Sequence, residues 1–167
     1  GIRALDVLTP PDGRGREPPV RIYSRNGNDK TAQFPAIARA LGAIARKQEG
    51  PLLLDGEIVA IDASGRPLGF QHIQGRIHRT TLAEIERGEK DQAAVLVLFD
   101  LLRDGDEDVR PLPLAARRLR LQDRVRIPAA AKDLLRLSEV VVDDGRPLLD
   151  RANREGWEGL IAKDGQS

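Results

Sequence analysis

The chain has 167 residues, enough for one domain with its own core. Apolar residues make up 40% of it and charged residues 32%, the balance of an ordinary soluble globular domain, and the net charge is only +1. That charge excludes a strong overall field toward nucleic acid or membrane; the absence of cysteine excludes disulfides and thiolate metal sites; and no apolar run approaches the roughly 20 residues that span a bilayer. Any nucleic-acid contact must come from a local patch. Arginine outnumbers lysine, which occurs only at Lys30, Lys47, Lys90, Lys132 and Lys163. Arginine suits bidentate phosphate contacts, and a GC-rich genome produces the same bias.

Taken in chain order, Arg3 to Leu8 and Val20 to Ser24 read as strands. The stretch from Thr9 to Pro19 between them is rich in proline and glycine, and is expected to be a long, mobile hairpin connection that reaches toward DNA or a neighbouring domain. Phe34, Ile37, Ala38, Leu41, Ile44 and Ala45 recur at helical spacing, which predicts an amphipathic helix over 33–47. Leu52 to Ile61 is a strand, closed by the turn Asp62-Ala63-Ser64-Gly65. A short helix follows over 70–75. Thr81 with Glu84 three residues on is a capping-box signature for another. Val95 to Leu102 is a buried strand and Asp104-Gly105 a turn. Pro113 starts an arginine-rich helix over 114–125. Leu135 to Val142 is a strand. Pro147 to Glu155 is a helix that Gly156 stops, and Leu160 to Lys163 is a last strand. Strands and helices mix with long antiparallel connections, so the fold class is α+β.

The segment Leu54-Asp55-Gly56-Glu57-Ile58 stands out. An unpaired buried charge is very costly, so a strand carrying two carboxylates either binds something polar in a cleft or opens to water. Alternation puts Asp55 and Glu57 on one face, where Asp55 either serves the site or pairs with an arginine. Arg117, Arg118, Arg120 and Arg124 share one helix. They read as its solvated face, with a DNA-backbone patch as the alternative. His72 and His78 lack a third ligand at matched spacing and are bystanders.

Five segments line up along the chain: Tyr23-Ser24-Arg25-Asn26-Gly27, Leu54-Asp55-Gly56-Glu57, Phe70-Gln71-His72-Ile73-Gln74, Leu98-Phe99-Asp100-Leu101-Leu102 and Glu155-Gly156-Trp157-Glu158-Gly159-Leu160-Ile161-Ala162-Lys163. In this order and at these distances they resemble the nucleotidyltransferase (adenylation) domain of ATP-dependent DNA ligases, and within it the bacterial end-joining ligase D type. The resemblance covers nearly the whole chain. It implies the nucleotidyltransferase (ATP-grasp-like) fold, mainly antiparallel sheets with flanking helices. It implies ATP, carried as AMP, as cosubstrate with Mg²⁺ or Mn²⁺. The implied partners are nicked or broken double-stranded DNA, fused polymerase or nuclease domains and an end-binding protein, with no membrane. The implied location is cytoplasmic, at the bacterial nucleoid.

Residue by residue, the resemblance makes Glu57 the ribose-binding carboxylate, Phe99 the ring stacked on adenine and Glu158 the metal-binding carboxylate. Arg3 and Arg25 become the arginines that grip the sugar and the 5′-phosphate of the nick. Lys163 becomes a basic group near the phosphates. Ligases open with Lys-x-Asp-Gly-x-Arg. Gly1 and Arg3 fit the end of that motif, so the nucleophilic lysine is expected three residues before Gly1. Lys163-Asp164-Gly165 lacks the spacer and is not that motif. Residues 1–167 are therefore expected to be a partial adenylation domain, without the nucleophile-bearing segment, the lysine-rich strand and the oligonucleotide-binding domain. The same residues also admit a catalytically incomplete nucleotide- or DNA-binding fragment, or an RNA ligase or capping-type nucleotidyltransferase.

Overall fold

The computed structural model describes residues 1–11, 19–157 and 159–167. Among them, six strands form one sheet: β1 (Ile2–Leu8), β2 (Val20–Ser24), β3 (Leu52–Ala60), β4 (Ala94–Asp104), β5 (Glu107–Asp108) and β6 (Leu135–Leu137). The order is β2-β1-β3-β4-β5 with every pairing antiparallel, while β6 runs parallel to an earlier stretch of β4. The flanking helices are α1 (Pro35–Ala45), α2 (Phe70–Ile77), α3 (Leu82–Asp91), α4 (Leu114–Arg124) and α5 (Arg146–Glu155). This is the α+β architecture, mainly antiparallel with flanking helices, that the sequence leads one to expect.

Burial alternates along the central strands and divides the sheet into two faces. Leu52, Leu54, Ile58, Leu96 and Leu98 point into the core. They meet Phe34 and the α1 stripe Ile37, Leu41 and Ile44, which recurs at the spacing of one helix face. The helix is shorter than expected because Pro35 fixes its start, a position that needs no N–H donor; a single 3-10 turn, Thr31–Gln33, precedes it. The capping box of α3 is present. Glu84 N–H donates to Thr81 Oγ1 over 3.4 Å, and Thr81 N–H donates to Glu84 Oε2 over 3.2 Å. Gly156 ends α5 at φ +72°, the left-handed position that favours glycine.

Two expected strands are corrected. Pairing at 135–142 stops after Leu137, with one further rung from Ser138 N–H to the Leu98 carbonyl at 2.8 Å. Val140, Val141 and Val142 then lie exposed. Residues 160–163 form no strand either. Branched apolar residues favour strands only where a neighbouring edge takes their backbone groups, and neither segment meets one among the described residues. The base of the proline-rich loop is closed by Thr9 N–H donating to the Pro19 carbonyl at 3.1 Å. The expectation of mobility covers Thr9 to Pro19, of which residues 12–18 lie outside the described ones.

One core position breaks the apolar pattern. Asp6 faces the interior between its register partners Ile22 and Leu54, and both carboxylate oxygens are buried without a hydrogen-bond partner. Burial, reinforced by the charge of Asp55, pushes its carboxyl up to about 8. Among the described residues, no helix is long and apolar enough to cross a membrane.

Candidate functional site

The face of the sheet opposite α1 carries the residues singled out above. Arg3 on β1 is directly opposite Glu57 on β3, and Glu57 is directly opposite Val97 on β4, so the three stand in one row. Gly56 lets the strands come this close. A Cβ on it would lie 2.8 Å from the Val97 carbonyl oxygen and within 3.1 Å of the Leu96 and Leu98 side chains. The ladder then slips. Asp55 faces Asp100 while Gly56 faces Leu98, which leaves Phe99 unpaired on β3 as the extra residue of a bulge. A bulge re-aims a side chain, and here it presents a half-buried aromatic ring beside the Arg3–Glu57 row.

Arg3 is held by Asp55. Its Nε donates to Oδ1 over 3.0 Å and its Nη2 to Oδ2 over 2.6 Å. This is the two-pronged carboxylate geometry, and it raises the arginine's own pKa. Asp55 is therefore the arginine partner, the second of its two expected readings. The guanidinium has five N–H donors, so three remain free of Asp55. Glu57 is half-exposed, with the Gly1 nitrogen 3.1 Å from its Oε1. Lys163 places its Nζ over the Phe99 ring, 4.8 Å from the centroid. Arg25 is exposed in the turn after β2, where Gly27 N–H donates to the Ser24 carbonyl at 2.8 Å. Ser24 pairs with Ala4, so Arg25 stands one register step along, at the end of the sheet where Arg3 lies. Arg3, Glu57, Phe99 and Lys163 thus converge, and Arg25 adjoins them. Glu158 lies outside the described residues.

The order of these pieces is matched by known proteins. The family model for the ATP dependent DNA ligase domain matches residues 15–167. The chain belongs to the ATP-dependent DNA ligase domain family. The multifunctional non-homologous end joining protein LigD of Pseudomonas aeruginosa is 37% identical over 144 residues, 86% of this chain and 15% of that protein. A probable DNA ligase of Streptomyces coelicolor is 32% identical over 145 residues, 86% of this chain and 27% of that protein. The ligase domain of Mycobacterium tuberculosis LigD superposes with a TM-score of 0.66 at 29% identity, over all of this chain and 46% of that one. A mycobacterial DNA ligase D complexed with ATP and MES gives 0.65 at 30%, with the same coverage. The ligase-domain chain thus spans less than half the length of these relatives.

The arginines of α4 in this ligase domain do not form the solvated face expected of them, nor a patch open to DNA. Arg117 makes two bonds to Asp100, Nε to Oδ1 and Nη2 to Oδ2, each 3.0 Å, with both side chains largely buried. Arg120 pairs with Glu107 at 2.5 Å, and Arg124 with Asp104 at 2.8 Å. Arg118 is buried and donates to the carbonyls of Phe99 and Ser138, each 2.8 Å away. All four thus fasten α4 to the β4–β5 hairpin or to the end of β6. Sequence reasoning missed Arg118, although a signal existed: Leu114, Arg118 and Leu121 recur at i, i+4 and i+7, which places Arg118 in the apolar stripe. It also missed Arg76, which is buried on α2. Arg76 Nη1 donates to the Gln92 carbonyl at 2.9 Å, Nη2 to the Gln33 carbonyl at 3.2 Å, and the guanidinium stacks 4.9 Å from the Phe34 centroid. His72 and His78 are exposed. Among the described residues no group of three His, Cys, Asp or Glu is placed to hold a metal ion.

Proposed function

We propose that this chain is the nucleotide-binding core of a DNA ligase adenylation domain, acting within a longer protein that seals nicked or broken duplex DNA. The observation that carries the proposal is the convergence of Arg3, Glu57, Phe99 and Lys163 on one sheet face. In this reading adenine stacks on Phe99, a contact any purine face can make. The Glu57 carboxylate accepts from the ribose hydroxyls, and these donors offset its partial desolvation. Arg3, pre-aimed by Asp55, offers its remaining donors to the nucleotide, and Lys163 moves to the phosphates. Arg25 grips the 5′-phosphate of the nick with a planar fork suited to phosphate oxygens.

The chemistry is phosphoryl transfer in three steps. A neutral lysine amine attacks the α-phosphorus of ATP; the bond to pyrophosphate breaks, and the amine loses its proton. AMP then passes to the 5′-phosphate, and finally the 3′-hydroxyl attacks and AMP leaves. The motif that Gly1 and Arg3 complete would put that lysine three positions ahead of Gly1. Glu158 is the residue proposed to hold Mg²⁺ or Mn²⁺. One carboxylate with substrate phosphates is an ordinary magnesium environment. Such an ion would offset charge on the α-phosphate.

The test is incubation with ATP labelled at the α-phosphate. The full-length protein should form an alkali-stable, acid-labile AMP adduct, as a phosphoramidate does, diminished by Glu57→Gln and by Phe99→Leu, and residues 1–167 alone should form none. A labelled 1–167 chain would overturn the assignment of the nucleophile. GTP serving as well as ATP would favour a capping-type enzyme.

A further inference from the structure

Phe99 sits where β4 loses both neighbours. On one side it is the bulged residue with no partner on β3. On the other, β6 has paired with β4 only as far as Leu98, and the two strands part after the Ser138 rung. A backbone carbonyl at such a place must find a donor or carry the cost of burial. Arg118 supplies it from α4. Its Nη1 donates to the Phe99 carbonyl at 2.8 Å and to Ser138 Oγ at 2.9 Å, and its Nη2 to the Ser138 carbonyl at 2.8 Å. The guanidinium therefore stands in for the next rung of the β4–β6 ladder. Asp100, the next residue on β4, is fixed in turn by Arg117.

The arrangement is costly. Arg118 is buried, its Nε has no hydrogen-bond partner, and burial lowers its pKa against the compensating charge of Asp100. A leucine at this place in the stripe would pack without that cost. What the arginine adds is a fixed backbone on both sides of the Phe99 ring.

We infer that Arg118 is a positioning residue for nucleotide binding: by clasping the carbonyls of Phe99 and Ser138 it holds the bulge that aims the Phe99 ring, and so sets affinity for the purine but not for the phosphates. The inference deepens the nucleotide reading above and rests on it.

Two readouts on the full-length protein test it separately from that reading. The first uses no nucleotide. Lys163 lies over the Phe99 ring, so its methylene protons carry an upfield ring-current shift by NMR that Phe99→Leu abolishes. Arg118→Gln should move that shift, with the Asp100–Arg117 pair intact; an unchanged shift overturns the inference. The second is calorimetric titration with adenosine and, separately, with inorganic tripolyphosphate. Arg118→Gln should weaken adenosine binding by about tenfold, the scale of one base–aromatic stack, and leave tripolyphosphate unaltered. Added to Phe99→Leu it should weaken adenosine no further, because both act through one ring. Additive losses, or equal losses of both ligands, overturn it. If Arg118→Gln does not fold, Ser138→Ala removes one acceptor of the clasp and should shift both readouts in the same directions. If Phe99→Leu leaves adenosine binding unchanged, the adenine-stacking reading fails, and the NMR result stands by itself.

Discussion

The ammonium of Lys163 lies over a face of Phe99, 4.8 Å from the ring centroid, so a purine proposed to stack on that face must displace it. The two cannot share that face. A cation–π contact at an exposed site is worth about 0.5–1 kcal/mol. Lys163→Met should therefore bind adenosine about two- to fivefold more tightly than the unaltered protein. It should bind ATP more weakly, because the displaced ammonium no longer reaches the phosphates. Calorimetric titration of both ligands checks the sign of each change. If the two ligands shift together, competition for the ring is not the cause.

Gly56 separates two carboxylates and has its own task. It lies on the core face, where a Cβ would come within 2.8 Å of the Val97 carbonyl oxygen, an atom of the backbone that cannot swing aside. Gly56→Ala should therefore push β3 and β4 apart and destabilise the domain by about 1–3 kcal/mol, the range for overpacking. Denaturant unfolding measures this. Gly56→Ala should also lower nucleotide affinity by displacing the adjacent Glu57, whereas Gly75→Ala, with nothing near its Cβ and a place inside α2, should leave affinity unchanged and raise stability by about 0.5–1 kcal/mol.

The central strands β3 and β4 were legible because burial there follows the period of two, and α1 because its stripe follows 3.6. The candidate site residues on β3 and β4 were singled out through the Asp-Gly-Glu and Phe-Asp-Leu-Leu segments. What could not be read was the bulge at Phe99. Nothing in Leu98-Phe99-Asp100 signals that the ladder slips between Asp55 and Gly56, since that depends on which residue of β4 each residue of β3 meets. The end of β6 escaped for the same reason. Val140-Val141-Val142 has strong strand propensity, and only the position of Arg118 against Ser138 shows why pairing stops. The α4 arginines were misread because charge suggested solvent, while their partners Asp100, Asp104 and Glu107 lie 13 to 20 residues away in sequence.

Asp100 and Arg117 are both nearly buried and joined by two bonds, so removing one strands the other. Asp100→Leu should cost about 3–5 kcal/mol, the range for breaking a buried pair. Arg118 adds to the loss, because Asp100 also offsets its burial. The double variant Asp100→Leu with Arg117→Met should recover most of it, since apolar side chains of similar volume replace buried ion pairs at little cost. Unfolding curves for the two single variants and the pair give the coupling. Additive losses would mean that the charges contribute independently.

Asp6 sets a pH dependence of the opposite sense to most carboxylates. Its carboxyl is fully buried without a hydrogen bond, and burial followed by the nearby Asp55 charge raises it to about 8 from an ordinary value of 3.8. Between those values the folded chain keeps a proton that the unfolded chain releases. The folded state then binds more protons, so the Asp6 contribution to stability falls as pH rises through this window. Below about pH 4 both states are protonated and Asp6 carries no penalty. Asp6→Asn mimics the neutral acid and cannot ionise. It should be more stable than the unaltered protein at pH 7, by on the order of 2–4 kcal/mol, with the gain shrinking toward zero near pH 4. Thermal unfolding of both proteins at pH 4, 5.5 and 7 checks the slope. A gain that does not vary with pH would show that Asp6 ionises in the folded chain as it does in the unfolded one.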